Sequence, residues 1–324
     1  MHKNKHICPA CGSQNTRKRG NENNIQSYSC NDCRRRFRNE HRNAKSHIEI
    51  YFDYVFGKQT IRELSRDGYG SKNTIINIRD EIILPTKIHT PRLVHLNSDA
   101  TYFGSRKQGT SWGILVFRDT DTREDIWWKF IHSRETKEDY HQGRIEIEKQ
   151  GYTIGSITVD GFPGLQGVFE GIPFQYCQVH MERTCITYLT RKPKTTPGQA
   201  LLSLVYSMKE LTKHQFIQSL QEYITYYYVY LNQKTYHSRS GRSSYTHKRL
   251  RGCIRTLSKN IDVLFTFESD SIHIHKDTNS LEGHFSHIKD ILKVHRGISK
   301  KHKMKALSAI MLASTIAPDR DIFD

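Results

Sequence analysis

Two β-rich runs each carry one aspartate where their apolar pattern gives out. They are HLNSDATYFG (95–104), with Asp99, and GSITVDGFPG (155–164), with Asp160. A third acid, Glu282, stands far downstream in TNSLEGHFSHIK, whose spacing is helical. If the three acids serve one site, the two strands lie side by side with their C-terminal ends together. Open α/β sheets carry their sites at such ends. The helix must then return from a long detour to bring in the glutamate.

The order of elements around these acids fits that demand. RLVHLNSDATYFG, SWGILVFRDT and DIWWKFIHS read as three successive strands, the last two joined by the turn-rich RDTDTRED. SRETKEDYHQGRIEIEKQGY reads as a helix with Ile145 on its inner face. GSITVDG is a fourth strand, FPGLQGVFEGI a short helix and PFQYCQVHM a fifth strand. Three strands, a helix, then two strands separated by a helix is the order of an α/β RNase H-like domain with a mixed sheet. Residues from about 181 to 270 are helical and basic, and are expected to form an all-α insertion whose loops include TRKPKTTP and HSRSGRSSYT. The tyrosines from Tyr223 to Tyr230 are expected to pack in its core, and Trp112, Trp127 and Trp128 in the sheet.

The N-terminal part reads as two small units. Cys8-Pro-Ala-Cys11 and Cys30-Asn-Asp-Cys33 are separated by 18 residues, a spacing that places four thiolates around one structural Zn²⁺. Residues 1–40 are therefore expected to be a zinc ribbon held together by its metal. Arg17, Lys18, Arg19, Arg34, Arg35, Arg36 and Arg38 cluster on it as candidate DNA contacts. In residues 41–90, AKSHIEIYFDYVFGK places Ile48, Tyr51, Phe52, Val55 and Phe56 on one helical stripe. Two further helices follow, the last capped by Ser71 after the turn GYG. That pattern fits a helix-turn-helix followed by a linker, with Lys72, Asn73, Asn77 and Arg79 as candidate readers. The catalytic domain is then 91–324.

The 324 residues carry a formal net charge of +17, with 36% hydrophobic and 10% aromatic residues. Such an excess of Lys and Arg calls for a polyanion partner, because each phosphate contact releases counterions. The sequence has no apolar run long enough to span a membrane, and MHKNKHICPACG has no signal-peptide core. Seven cysteines, four of them in CxxC pairs, fit a reducing compartment. The expected location is cytoplasmic, at the nucleoid.

Asp99, Asp160 and Glu282 offer hard oxygen ligands suited to two Mg²⁺ ions, or Mn²⁺ in their place. Ala100 and Gly161, beside the aspartates, read as small neighbours that let substrate approach. DATYFG, ITVDGFPGL, YCQVHMER, TNSLEGHFSHIKD with HRG, and CPxCGS…YxCxxCxRRF together resemble DDE transposases of bacterial insertion sequences, of the Mutator-like type. The resemblance implies that Asp99, Asp160 and Glu282 form the acidic triad. It also implies that Cys177-Gln-Val-His180 is the CxxH signature following the second aspartate. From its own chemistry Cys177/His180 reads as support for the site at a strand end, as a metal pair with His273 and His275, or as packing. Lys289, Lys293, His295 and Arg296, after Glu282, and the run KKHKMK are candidate phosphate contacts. The expected activity is binding of terminal inverted repeats, strand cleavage and joining of the 3′-hydroxyl to target DNA, by a homodimer or larger assembly. A non-catalytic DNA-binding regulator and an RNase H-like structure-specific nuclease share parts of this pattern.

Overall fold

The computed structural model describes residues 7–8, 11, 13–22, 25–38, 45–238, 241–269, 273–295 and 297–314. The chain divides into two compact units, Met1–Tyr54 with Ile61–Ile82, and Val55–Thr60 with Ile83–Asp324. Among the described residues, no helix is long and apolar enough to cross a membrane.

The first unit opens with three antiparallel strands in the order β1-β2-β3: β1 (Thr16–Glu22), β2 (Ile25–Cys30) and β3 (Arg36–Arg38). Tyr28 is buried and stacks on Phe37, its register partner, with ring centroids 5.8 Å apart. Three helices follow, α1 (His47–Phe56), α2 (Ile61–Arg66) and α3 (Lys72–Glu81). Ser71 caps α3 as expected, its hydroxyl accepting from the Thr74 amide at 3.1 Å. The buried stripe of α1 is rotated from the expected one. Ile50, Tyr51, Tyr54 and Val55 are buried, whereas Ile48, Phe52 and Phe56 are only half-buried. Tyrosine can be buried here because its hydroxyl finds a partner: that of Tyr54 meets the Arg79 guanidinium.

The second unit is built on a five-stranded sheet. Its strands are β4 (Leu93–Phe103), β5 (Trp112–Asp119), β6 (Asp125–Ile131), β7 (Thr153–Val159) and β8 (Phe174–Tyr176), in the order β6-β5-β4-β7-β8. The first three pair antiparallel; β4–β7 and β7–β8 pair parallel. This is the mixed sheet anticipated from the element order, with its first and fourth strands adjacent at the centre. Helix α4 (Lys137–Lys149) covers one face, seated where Gly143 meets Phe117. A Cβ at Gly143 would lie 2.5 Å from the Phe117 ring, so only glycine allows this approach. Tyr140, Gly143 and Ile147 form the inner edge of α4, and Ile145 points outward at 45% exposure. The expectation for Ile145 is thus corrected: the capping box of Thr136 and Asp139 sets the start of the helix, and with it the phase. Helix α5 (Leu165–Val168) leads into β8.

The region expected to be an insertion holds α6 (Gln178–Leu189), α7 (Thr196–Ser207), α8 (Lys213–Tyr226), α9 (Tyr228–Leu231) and α10 (Lys248–Leu264) around a core containing Met181, Cys185, Leu201, Phe216, Cys253 and Leu257. It is not all-α. The stretch read as a basic loop supplies the turn and second strand of an antiparallel hairpin, β9 (Lys234–His237) and β10 (Arg242–Tyr245). Both strands are largely exposed, so no alternation of apolar residues marks them in the sequence. The tyrosine run is also only partly core. Tyr223 is buried and donates to the Pro197 carbonyl at 2.8 Å, but Tyr226 and Tyr228 are 82% and 63% exposed. The chain then returns to the sheet and ends in α11 (Asn279–Val294) and α12 (Lys300–Ala313), which contact β4 and β6 respectively.

Candidate active site

Asp99 does not end its strand. β4 runs on to Phe103 because β5 still pairs with it there, with Asp99 opposite Val116. Its parallel pairing with β7, however, stops at Ser98–Val159. Asp99 and Asp160 are therefore the next positions on two adjacent strands, just past the last shared rung. Each is oriented locally: Asp99 Oδ1 accepts from the Ala100 amide at 2.7 Å, and Asp160 Oδ1 from the Phe162 amide at 3.1 Å. Ala100 packs against the core below the sheet. A Cβ at Gly161 would fall 1.7 Å from the buried Tyr176 hydroxyl. The small residues beside the aspartates thus accommodate the protein's own packing.

Glu282 arrives on the first turn of α11, its amide bonded to the Thr278 carbonyl at 3.0 Å. Ligand atoms of Asp99, His180 and Glu282 all lie within 4.8 Å of one another. Asp160 adds its charge to the same cluster, being felt by both Asp99 and Tyr140. Burial pushes the Asp99 carboxyl up to about 7; His180 opposes the rise, and Asp160 and Glu282 reinforce it. Burial likewise raises Asp160. Glu282 is held below the usual range by Arg183, whose guanidinium donates to both carboxylate oxygens at 2.6 and 2.9 Å. Asp99 and Glu282 therefore converge with His180, and Asp160 stands beside Asp99 at the next position of the adjacent strand. Crowded carboxylates that resist ionisation are the donor set a hard divalent cation would relieve. His180 Nδ1 is buried and meets no hydrogen-bond partner among the described residues. These residues fit Mg²⁺ or Mn²⁺.

Cys177 stands at the end of β8, its amide donating to the Val159 carbonyl at 2.8 Å, and His180 lies in the first turn of α6, which begins at Gln178. The buried Cys177 Sγ accepts from the amide and hydroxyl of Thr278, each at 3.4 Å. The Gln178 amide donates to the Lys276 carbonyl at 3.0 Å. The cysteine thus grips the segment that delivers Glu282, while His180 Nε2 faces Glu282 at 3.7 Å. His273 and His275 lie elsewhere and form no metal group with this pair.

Two neighbours were not anticipated. Arg183 stands three residues after His180, on the same face of α6, and only the helical start at Gln178 reveals the relation. Glu135 is a partly buried acid whose carboxyl is raised by burial and then by Asp160.

The remaining candidates are distributed as follows. Cys8, Cys11, Cys30 and Cys33 converge, with Cys8–Cys33 and Cys11–Cys30 sulfurs 3.6 Å apart. That spacing is close to the edge, about 3.8 Å, of a tetrahedron with zinc–sulfur bonds of about 2.3 Å. Hydrogen bonds from the amides of Cys33 and Asp32 help hold Cys30 down to about 7, while the crowding of the other thiols on Cys11 pushes it up to about 12, so without a metal the cluster shares its protons unevenly. Arg17, Lys18, Arg19, Arg34, Arg35 and Arg36 are exposed around this cluster, and Arg38 closes β3. Lys72, Asn73 and Asn77 are exposed on α3, but Arg79 is committed to Asp80 at 2.6 Å with 16% of its side chain exposed. Lys289 and Lys293 are exposed and line a cleft of about 410 Å³ with Tyr102, Phe103 and Lys303. His295 is largely buried, at 4% exposure, and lines the same cleft. Arg296 lies outside the described residues.

The sheet and the acids at its centre define an α/β protein with carboxylates gathered where β4 and β7 part. The family model described as "Transposase IS66 family" matches residues 91–291, more than half of the chain's 324 residues. The chain belongs to the IS66 transposase family. That agrees with the transposase resemblance at the level of class and does not name the Mutator-like type. No curated protein matches the chain. Among solved structures, it is similar to the Drosophila P element transposase strand transfer complex, at 10% identity and TM-score 0.39 over 86% of this chain and 94% of that one. It is also similar to the Mos1 strand transfer complex, at 10% identity and TM-score 0.18 over 68% of this chain and 77% of that one.

Proposed function

We propose that the chain is a DDE-type DNA transposase that cuts strands at transposon ends and joins the freed 3′-hydroxyl to target DNA. The observation that supports this reading is the clustering of Asp99 with Glu282, and the placing of Asp160 beside Asp99, within the segment matched by the family model. In this reading 1–40 is a zinc ribbon and 41–90 a helix-turn-helix unit, and both bind the terminal inverted repeats. Residues 91–324 form the catalytic domain, with the insertion at 181–270. Two copies or more assemble, because two ends must be joined together.

Asp99, Asp160 and Glu282 are the residues that would hold two Mg²⁺ ions. Bound there, such a pair supplies a deprotonated water or 3′-hydroxyl and neutralises charge on the leaving oxygen. Asp99 and Asp160 are oriented by the amides of Ala100 and Phe162. Cys177 fixes Thr278 and with it the start of α11. Arg183 keeps Glu282 ionised by donating to both of its oxygens, and would have to give up one of them where Glu282 holds a cation. The basic residues of the ribbon and, in the second unit, those of the Lys289–Lys293 cleft supply phosphate contacts that position DNA, and Lys72, Asn73 and Asn77 of α3 are the candidate readers.

Incubation with cognate ends, Mg²⁺ and a target duplex tests the reading. Joined products are expected. Cut ends without joining point to a nuclease, and neither product to a regulator. Arg183 gives a narrower check. Its ion pair is solvent-accessible and therefore weak, about 1 kcal/mol or less. Arg183→Ala is expected to lower the Mn²⁺ concentration for half-saturation by roughly two- to fivefold, in a titration without DNA. An unchanged or weakened Mn²⁺ affinity overturns the placeholder role.

A further inference from the structure

A second group of metal-binding side chains lies away from the acids. Asp121, His273 and His275 bring ligand atoms within 4.8 Å of one another. His273 Nε2 is 2.9 Å from Asp121 Oδ1, and the His273 and His275 ring centroids are 5.4 Å apart. Adjacent ligands on one tetrahedral ion with bonds of about 2.0 Å stand roughly 3.3 Å apart, so the His273–Asp121 pair needs only a small opening to share a metal.

The backbone under all three is fixed. Asp121 sits at the tip of the β5–β6 turn, which is pinned on both sides. Asp119 accepts from Arg92 at 2.8 Å, and Glu124 from Lys87 and Arg92 at 2.6 and 2.9 Å. Thr120, next to Asp121, donates through its amide and its hydroxyl to the His95 carbonyl, at 2.8 and 2.9 Å. His273 and His275 lie on the stretch that returns the chain from the insertion to α11. It belongs to no helix or strand, yet its carbonyls are tied down in turn. Ser156 Oγ donates to that of His273 at 2.7 Å, and Thr158 Oγ1 to that of His275 at 2.6 Å. Asn97 Nδ2 donates to that of Asp277 at 3.3 Å. Residues two apart on an extended chain point the same way, which turns both imidazoles to one side. His95 packs edge-on behind His273, centroids 4.8 Å apart, with its Nδ1 at 2.9 Å from Ser156 Oγ.

A surface His–Asp contact needs none of this scaffolding and contributes about 1 kcal/mol or less. Two imidazoles and one carboxylate on a rigid frame are instead the ligand set of zinc-type ions, whereas Mg²⁺ prefers oxygen alone. We propose that Asp121, His273 and His275 form a second zinc-type site, separate from the four-cysteine ribbon and from the acidic centre. His95 precedes Asp99 by four residues on β4, so the two centres are roughly 13 Å apart along the strand. The ion cross-links the β5–β6 turn to the return segment. It thereby stiffens the stretch that carries Thr278 and, one turn later, Glu282. The proposal does not depend on the transposase reading, since the site binds metal whatever the chain does to DNA.

Metal content of the full-length protein, purified with zinc and dialysed, tests it. About two equivalents of zinc per chain are expected, falling to about one in Asp121→Asn, in His275→Gln and in Cys30→Ser. Asp121 and His275 are exposed, so these variants are expected to fold. With Co²⁺ in place of zinc, thiolate charge-transfer bands are expected to persist in Asp121→Asn, while the weaker visible bands of the nitrogen–oxygen site disappear. Hydrogen exchange at the Gln178 amide, which bonds Lys276, is expected to slow when zinc is added to the parent and not to Asp121→Asn. One zinc in the parent overturns the proposal. So does a second zinc that survives Asp121→Asn and His275→Gln, or one lost only in Asp99→Asn.

Discussion

Asp99→Asn is expected to lose strand transfer by on the order of a thousandfold and, without added divalent ions, to be more stable than the parent at pH 8. The loss follows because a cation held by three carboxylates contributes several kcal/mol to the transition state, and Asn offers a weaker, neutral ligand. The gain follows from linkage. Burial and two neighbouring acids raise the folded carboxyl to about 7, against an ordinary value of 3.8. Between those values the folded chain binds the proton and the unfolded chain has released it, so stability falls as pH rises from about 4 to about 7. The full difference corresponds to about 4 kcal/mol, and sharing of protons with Asp160 reduces what one substitution recovers to roughly 2 kcal/mol. Urea melts at pH 8 are expected to show this gain, and melts at pH 4 to show none. Retained strand transfer would move the chemistry away from Asp99. A variant less stable than the parent at pH 8 would mean that the carboxylate is satisfied by the protein itself.

That pairing of lost activity with gained stability is the mark of a site built for a cation. It also explains which parts of the molecule could be read from the sequence. Asp99 and Asp160 stand out because each comes where an apolar run gives out, and parallel β4 and β7 place them side by side once Ser98 pairs with Val159. The four cysteines were legible from spacing alone. Where β4 ends was not legible, since β5 prolongs it on the opposite edge from β7, and only pairing tells the two edges apart. Arg183 was hidden because YCQVHM reads as strand while the chain folds from Gln178 onward as helix. Periodicity also failed on the hairpin β9–β10, which has no buried face to produce it, and on Tyr226 and Tyr228, which decorate a surface. The clustering of Asp121 with His273 depends on an approach across 152 positions that no local pattern records.

The second large effect concerns the ribbon. Cys30→Ser, or removal of zinc by a chelator, is expected to unfold residues 16–38 while leaving the sheet of the second unit intact. The buried residues of β1–β3 are few, chiefly Tyr28, Cys30 and two serines, too little apolar surface to offset the entropy of ordering the strands. Structural zinc in peptides of this kind contributes about 10–16 kcal/mol of binding free energy, which is then folding free energy. Amide exchange over β1 and β2 is expected to become fast in the variant, with β4 and β7 unchanged. Loss of the fold scatters Arg17, Lys18, Arg19, Arg34, Arg35 and Arg36, so affinity for end DNA should fall by about tenfold or more at physiological salt. The slope of log affinity against log salt should flatten by roughly 0.9 for each phosphate that the ribbon no longer neutralises. Loss of structure with affinity and slope both intact would leave the ribbon a structural knob and move DNA binding onto α3 and the Lys289–Lys293 cleft. Affinity that falls with an unaltered slope would mean instead that the ribbon acts through shape or base recognition and not through its charge.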